Sequence, residues 1–370
     1  MIAGCATPQG TAQYAGRAGR TVLPEHFRIV EGGLRLSSVG IGTYLGREDD
    51  VTDVAYRRSI ARAFERSLNV VDTAINYRHQ RSERAVGATL AELFARRVLG
   101  RDEVFVATKG GYIPFDGEMP RDPAAYFTET YLRPGLVRPD EVVGGAHCMA
   151  GRFLADQIDR SRRNLGLDTL DLYYLHNPES QLEAVDRAEF TRRLRAAFET
   201  LEEAVAAGKI ARYGTATWNG YREPPESPGL LALGDVVAAA REVGGSDHHF
   251  RAIQLPYNLA MTEAFTRANQ RLGKETVSTL EAARRLDVYV MASASVYQGQ
   301  LTRNLPPVIA EYLPGLTSDA QRALQFARST PGIGTALVGM KTPAHVDDNA
   351  GVAARAPIPW ESFKSLFSAA

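Results

Sequence analysis

Residues 151–216, GRFLADQIDRSRRNLGLDTLDLYYLHNPESQLEAVDRAEFTRRLRAAFETLEEAVAAGKIARYGTA, alternate two helix-like segments with two strand-like ones. Leu154, Ile158, Ser161 and Leu165 recur at helical spacing until Gly166 ends the run, and 170–175 is then a short apolar stretch rich in Leu and Tyr. Phe190, Leu194, Ala197, Phe198, Leu201, Ala204 and Val205 form a second stripe stopped by Gly208, after which 210–216 is strand-like again. A strand that follows its predecessor through a helix returns parallel to it.

The same alternation extends outward in both directions. Strand candidates lie at 39–44, 70–72, 104–108, 170–175, 210–216, 252–255, 288–292 and 333–338. The remaining helical segments are 51–68, 82–97, 229–243, 275–286, 318–328, which opens with the capping box Ser318-x-x-Gln321, and 343 onward. Eight βα units without a reversal close into a (β/α)8 TIM barrel of the α/β class; a doubly wound open sheet is the structural alternative. Residues 26–36 form an N-terminal β-hairpin around Glu31-Gly32-Gly33, suited to covering the barrel floor, and 110–151 is a long proline-rich loop after strand 3. Residues 1–25, small and polar with scattered glycines, are expected to be a flexible N-terminal arm, leaving 26–370 as a single barrel domain.

Composition excludes several classes. The 370 residues are 44% hydrophobic and 23% charged, enough for a large core and unlike a disordered chain. Lys plus Arg and Asp plus Glu each number 43, so no net field draws in a polyanion, and no nucleic-acid partner is expected. Residues 1–10 lack the basic and apolar regions of a signal peptide, and no stretch approaches a membrane span. With only Cys5 and Cys148, the expectation is a cytoplasmic protein in a reducing compartment.

A barrel gathers its chemistry at the carboxyl ends of its strands. There stand Asp72, ending the second strand, Tyr77 five residues on, Lys109 ending the third and His176 ending the fourth. A phenol can donate a proton, but its ordinary pKa of about 10 is high for work at neutral pH. A nearby ammonium favours the phenolate, a carboxylate holds the ammonium charged, and an imidazole can orient a carbonyl oxygen. The plainer roles are Asp72 as a helix cap, Lys109 as a solvated rim charge and His176 as a satisfied core histidine. Gly40-x-Gly42-x-x-x-Gly46 misses the dinucleotide fingerprint spacing. His147-Cys148 and His248-His249 lack the spacing of a metal site, so no metal is expected.

Asp72-Thr73-Ala74-x-x-Tyr77, Ser82-Glu83-x-x-x-Gly87, Thr108-Lys109 and Leu175-His176-x-Pro178, in that order, resemble the aldo-keto reductase family, and the resemblance runs from about residue 26 to 351. It implies Tyr77 as general acid, Lys109 and Asp72 tuning it, and His176 positioning a carbonyl. It further implies a nicotinamide dinucleotide, NADP(H) rather than NAD(H), lying across the barrel mouth. Gly42, Thr43 and Tyr44 look like its first-strand contact, with Asp72 and Gln254 near the carboxamide. Gly339, Lys341, Thr342, His345, Asp348 and Asn349 look like the adenosine end, where Lys341 or His345 would meet a 2'-phosphate.

Three positions depart from the family pattern. Ala216-Thr217 stands where a Ser-Asn pair usually grips the carboxamide, so Thr217 alone keeps a polar side chain there. Ser293 replaces the aromatic that stacks on the nicotinamide, with Tyr297 nearby to cover the ring face. His345 replaces an arginine. The implied activity is reduction of an aldehyde or ketone to an alcohol, or its reverse, on a substrate framed by Tyr44, Tyr112 and Trp218. The alternatives are a cofactor-binding regulatory subunit with little turnover and a non-redox lyase or isomerase on the same barrel. Tyr112, Phe115, Tyr126, Phe127 and Tyr131 would either form an aromatic lid or pack the long loop onto the barrel.

Overall fold

The computed structural model describes residues 1–367; the last three residues of the expected barrel domain lie outside them. Two short antiparallel strands, β1 (Phe27–Ile29) and β2 (Arg35–Ser37), form the expected hairpin. Barrel strands follow as β3 (Val39–Gly42), β4 (Val70–Asp72), β5 (Phe105–Gly110), β6 (Leu172–His176), β7 (Tyr213–Ala216) and β8 (Phe250–Pro256). A second hairpin of β9 (Ala268–Leu272) and β10 (Glu275–Ser278) precedes the last two, β11 (Tyr289–Ser293) and β12 (Thr335–Gly339). The eight barrel strands pair in parallel in the closed order β11-β12-β3-β4-β5-β6-β7-β8, so the open sheet is excluded.

Two apolar layers hold the barrel. Its inside is filled by Val70, Phe105, Ala107, Leu172, Tyr174, Ala252, Met291 and Leu337, with Leu34 and Leu36 of the first hairpin closing the floor. Outside, helical stripes such as Leu154, Ile158 and Leu165, or Leu194, Phe198 and Leu201, pack against outward strand residues including Val71, Val106 and Tyr173. Gly40 lies in this packing where a Cβ would crowd the Leu337, Thr335 and Val70 side chains at 2.8–3.1 Å.

Register then aligns the strand ends. Gly42 is paired with Asp72, His176 with Ala216, Ala216 with Gln254, and Gly339 with Gly42. Backbone pairing alone therefore sets these positions around one rim.

Three expectations need correction. Residues 1–25 do not form a free arm: Pro8–Ala18 is a helix, capped by Thr7, that buries Tyr14, Ala15 and Ala18. Tyr14 Oη donates 2.6 Å to the Phe64 carbonyl, Arg17 pairs with Glu103, and Ala6 N–H donates 2.5 Å to the buried Asp171 carboxylate. A single aromatic and two alanines on one helical face suffice to anchor so short a segment. Within 275–286, only Thr279–Arg285 is helical; 275–278 pairs with β9 across a turn in which Gly273 has φ +62°. That hairpin has a task, since Gln270 Oε1 accepts the Leu233 N–H at 2.7 Å and Asn269 donates to the Tyr221 and Glu223 carbonyls, bracing the loop after β7. Finally, Ser318 caps Asp319–Ser329, but Gln321 returns its Oε1 to Thr317 N–H instead of Ser318, leaving the capping box half formed.

The aromatic loop is packed. Tyr131 and Phe153 are fully buried, with the half-buried Tyr126 and Phe127 packed against them, and of the five expected lid residues Tyr112 alone reaches the mouth. Cys5 and Cys148 are both free. Among the described residues no helix is long and apolar enough to cross a membrane. Tyr14→Ala should lower the unfolding free energy by about 3 kcal/mol, the ordinary loss for a buried aromatic, in urea titration. A free arm would give a change within about 0.5 kcal/mol.

Candidate active site at the barrel mouth

Lys109 is fully buried inside β5, where its Nζ donates 2.7 Å to Asp72 Oδ2 and 2.8 Å to the Thr73 carbonyl. Asp72 Oδ1 accepts a second bond, 2.8 Å, from Gln254 Nε2 of β8. Lys109 Nζ lies 4.8 Å from the centre of the Tyr77 ring, and that ring meets His176 edge to face at 5.9 Å. Each plainer role fails here. Asp72 caps no helix, Lys109 is not solvated, and His176 Nδ1 is buried without a partner.

Local structure presents Tyr77. Arg78, His79 and Gln80 follow it with φ of 49°, 53° and 71°, one left-handed turn built from non-glycine residues. Such a turn persists only if its surroundings hold it. Arg78 donates 2.7 Å to the Arg47 carbonyl and pairs with Asp53, while Gln80 donates 2.8 Å to the Phe115 carbonyl and accepts from Asn164. The Ser82-Glu83 pair then ties the next helix to the barrel: Ser82 Oγ donates to the Thr43 carbonyl, and Glu83 accepts from Thr108 Oγ1 and Asn164 Nδ2. Gly87 faces Asn164 and Leu165 so closely that a Cβ would collide with their backbone.

His176 is held from behind by His147, a residue the sequence reading weighed only as a metal ligand. Gln181 Nε2 donates 2.8 Å to His147 Nδ1, which places the proton on Nε2, and Nε2 donates 2.7 Å to the His176 carbonyl. Tyr112 stands between the two imidazoles, 5.0 Å from His147 and 5.1 Å from His176. Among the described residues no cluster of three or more His, Cys, Asp or Glu could hold a metal.

Electrostatics favour neutral forms at the surface of the site. Burial pushes the Tyr77 phenol well above its ordinary value, and the Asp72 charge adds to that effect. Lys109 was expected to pull the phenol down, but Asp72 neutralises its field and burial prevails. Burial also lowers Lys109, opposed by Asp72, and lowers His176 well below 6.5 with help from the Lys109 charge. Tyr77 thus carries its proton and His176 is an uncharged imidazole.

These groups open onto a cavity of about 950 Å³. Asp72, Tyr77 and His176 line it, and so do Tyr44, Tyr112 and Trp218. It continues past Gly42, Thr43, Thr217, Gln254 and Ser293 to Gly339, Lys341, His345, Asp348 and Asn349. Two expected residues fall outside. Thr342 instead accepts the His345 N–H as N-cap of the helix Pro343–Ala350, and Tyr297 does not line the cavity. The sequence reading missed Asn76, Asn177, Gln298, Thr302 and Arg303, which do line it. The last three belong to the loop after β11, so inspecting polar residues past each strand end would have found them.

A sequence pattern described as the aldo/keto reductase family matches residues 38–223. The chain belongs to the aldo/keto reductase family. The match covers Asp72, Tyr77, Lys109 and His176, whereas the wall from Gln254 to Asn349 lies beyond it. Solved structures share the fold of this aldo/keto reductase over nearly its whole length. The aldo/keto reductase of Klebsiella pneumoniae, in complex with NADP and acetate, is 20% identical with a TM-score of 0.61, covering 93% of this chain and 95% of that one. An aldo-keto reductase of Bacillus halodurans, in its holo form, is 19% identical at 0.62, covering 93% and 96%. The glycerol dehydrogenase of Gluconobacter oxydans is 18% identical at 0.63, covering 94% and 95%.

Burial places the His147 imidazole at about 4, below its unfolded value, so the unfolded chain takes up the proton first as pH falls. Its contribution to stability is complete above pH 6.5 and declines toward pH 4. Comparing His147→Gln with the parent by denaturant titration across that window should show a flatter profile, the difference reaching on the order of 3 kcal/mol.

Proposed function

We propose that this aldo/keto reductase is an NADP(H)-dependent oxidoreductase that reduces an aldehyde or ketone to an alcohol, or runs the reverse, with Tyr77 as proton donor. The carrying observation is the buried Lys109–Asp72 pair, with Nζ 2.7 Å from Oδ2, set beneath Tyr77 and His176 at one end of a long cavity.

Residues of the cavity fit a dinucleotide. Thr217 Oγ1, Asn76 Oδ1 and Asn349 Oδ1 are buried polar atoms without partners on its lining, and a Cβ built on Gly339 meets nothing within 4 Å, so bare backbone faces open space. Thr217, Gln254 and Ser293, beside Asp72, would hold the nicotinamide end. Gly42, Thr43 and Tyr44 would support its middle. Gly339, Asp348 and Asn349 would frame the adenosine, with Lys341, His345 and Arg303 as candidates for a phosphate; none of these three forms an ion pair among the described residues. When bound, the cofactor supplies a hydride to the carbonyl carbon.

The protein's own part is the proton and the geometry. A neutral His176 donates an N–H to the substrate oxygen and fixes its approach, and Tyr77 Oη, protonated because it is buried, delivers its proton there. As phenolate develops, Lys109 faces it with an ammonium that Asp72 and the Thr73 carbonyl keep in place. Tyr44, Tyr112 and Trp218 frame a substrate with an apolar or cyclic body. Two free cysteines suit a reducing compartment, and we place the protein in the cytoplasm.

Titration of cofactor-free protein with NADPH, followed by Trp218 fluorescence, should show saturable binding. Tyr77→Phe should keep that binding and lose about 10²–10⁴-fold in turnover on carbonyl substrates. Unchanged steady-state rates in Tyr77→Phe would overturn the assignment, and conversion of substrate by cofactor-stripped protein would favour non-redox chemistry. Lys341→Ala should weaken NADPH about tenfold while leaving NADH within about twofold, the signature of a lost charge-assisted bond to the 2'-phosphate.

A further inference from the structure

A second cavity, of about 490 Å³, lies at the opposite end of the barrel, between the amino ends of the strands and the first hairpin. Leu36, Phe105 and Leu172 give it an apolar wall. Arg28, Arg212, Arg251, Arg284 and Arg328 also line it, against Asp287 as the lone carboxylate among its described lining residues.

Two of the arginines are in an unusual position. Arg328 is fully buried, and its Nε and Nη1 are used by Ser38, Gln325 and the Val352 and Arg355 carbonyls, while Nη2 has no partner. Arg28 donates Nη2 to the Arg328 carbonyl at 2.8 Å, bringing the two residues together, and its own buried Nε–H is also without a partner. Neither forms an ion pair among the described residues. Burial lowers the pKa of both, and for Arg328, brought down to about 9, the Arg28 charge adds to the effect. A fully buried guanidinium beside a half-buried one, with no carboxylate bonded to either and the Glu25 charge acting on them only from a distance, is costly, and each leaves an N–H of the kind that binds carboxylates well.

We infer that this floor cavity is a binding site for a small organic anion, a carboxylate on an apolar or aromatic body, held by Arg28 and Arg328 with the body against Leu36, Phe105 and Leu172. It is separate from the mouth, since the filled barrel interior lies between them. Arg212 supports the wall: its Nη1 donates to the Asp171 carbonyl and its guanidinium lies 5.5 Å from the centre of the Phe105 ring.

Isothermal titration of the full chain with benzoate, and with benzamide as its neutral counterpart, tests the site. Saturable benzoate binding at one equivalent and much weaker benzamide binding are expected, with Arg28→Gln weakening benzoate about tenfold or more. Arg284→Gln, on the exposed rim where its charge is already matched by Glu281, should leave it within about twofold. Tyr112→Ala, at the mouth, should leave it within about twofold. No saturable benzoate binding, equal binding of benzamide, or unchanged benzoate binding in Arg28→Gln would overturn the inference.

Discussion

The Lys109–Asp72 ion pair is the constraint on which the site depends. An ammonium with no exposed surface is tolerated only with its charge matched and its protons used, and here Asp72 and the Thr73 carbonyl supply both. Asp72 is in turn held by Gln254 from across the barrel, so the pair requires β4, β5 and β8 to be in register together. Removing one partner would leave a buried unpaired charge, a cost of about 3–5 kcal/mol. The geometry of the candidate site and barrel closure are therefore the same structural fact, viewed from the mouth and from the sheet.

Around that pair the chain tolerates local strain to keep Tyr77 aimed. A left-handed turn at Arg78, His79 and Gln80 runs against the conformational preference of each residue, and polar contacts to the Arg47 and Phe115 carbonyls, Asp53 and Asn164 hold it. The same economy is seen behind His176, where Gln181 selects the His147 tautomer and His147 in turn restrains the His176 backbone. Both supports lie on segments outside the strands.

The two ends of the barrel differ in kind. At the carboxyl end, polar atoms without partners line a long cavity, in keeping with a large polar ligand. At the amino end a hairpin closes the floor with Leu34 and Leu36 but leaves an arginine-lined recess. Between them the packed interior leaves the ends free to carry independent chemistry.

Strand and helix periodicity, the order of the strand-end residues Asp72, Lys109 and His176, and the resemblance carried by their motifs were legible in the sequence, because period and spacing are local properties of the chain. The register that brings Gly42, Asp72, Gln254 and Gly339 to one rim follows from those strands once closure is assumed. What the sequence concealed depended on contacts between distant segments. Tyr14 reads as part of a polar arm until Phe64 and Leu68 are placed beside it, and Glu275 reads as helical until β9 is there to pair with it. The direction of the Tyr77 shift and the unpartnered guanidinium groups of Arg28 and Arg328 were likewise decided by tertiary structure, since burial and the company of other charges exist only once the chain has closed on itself.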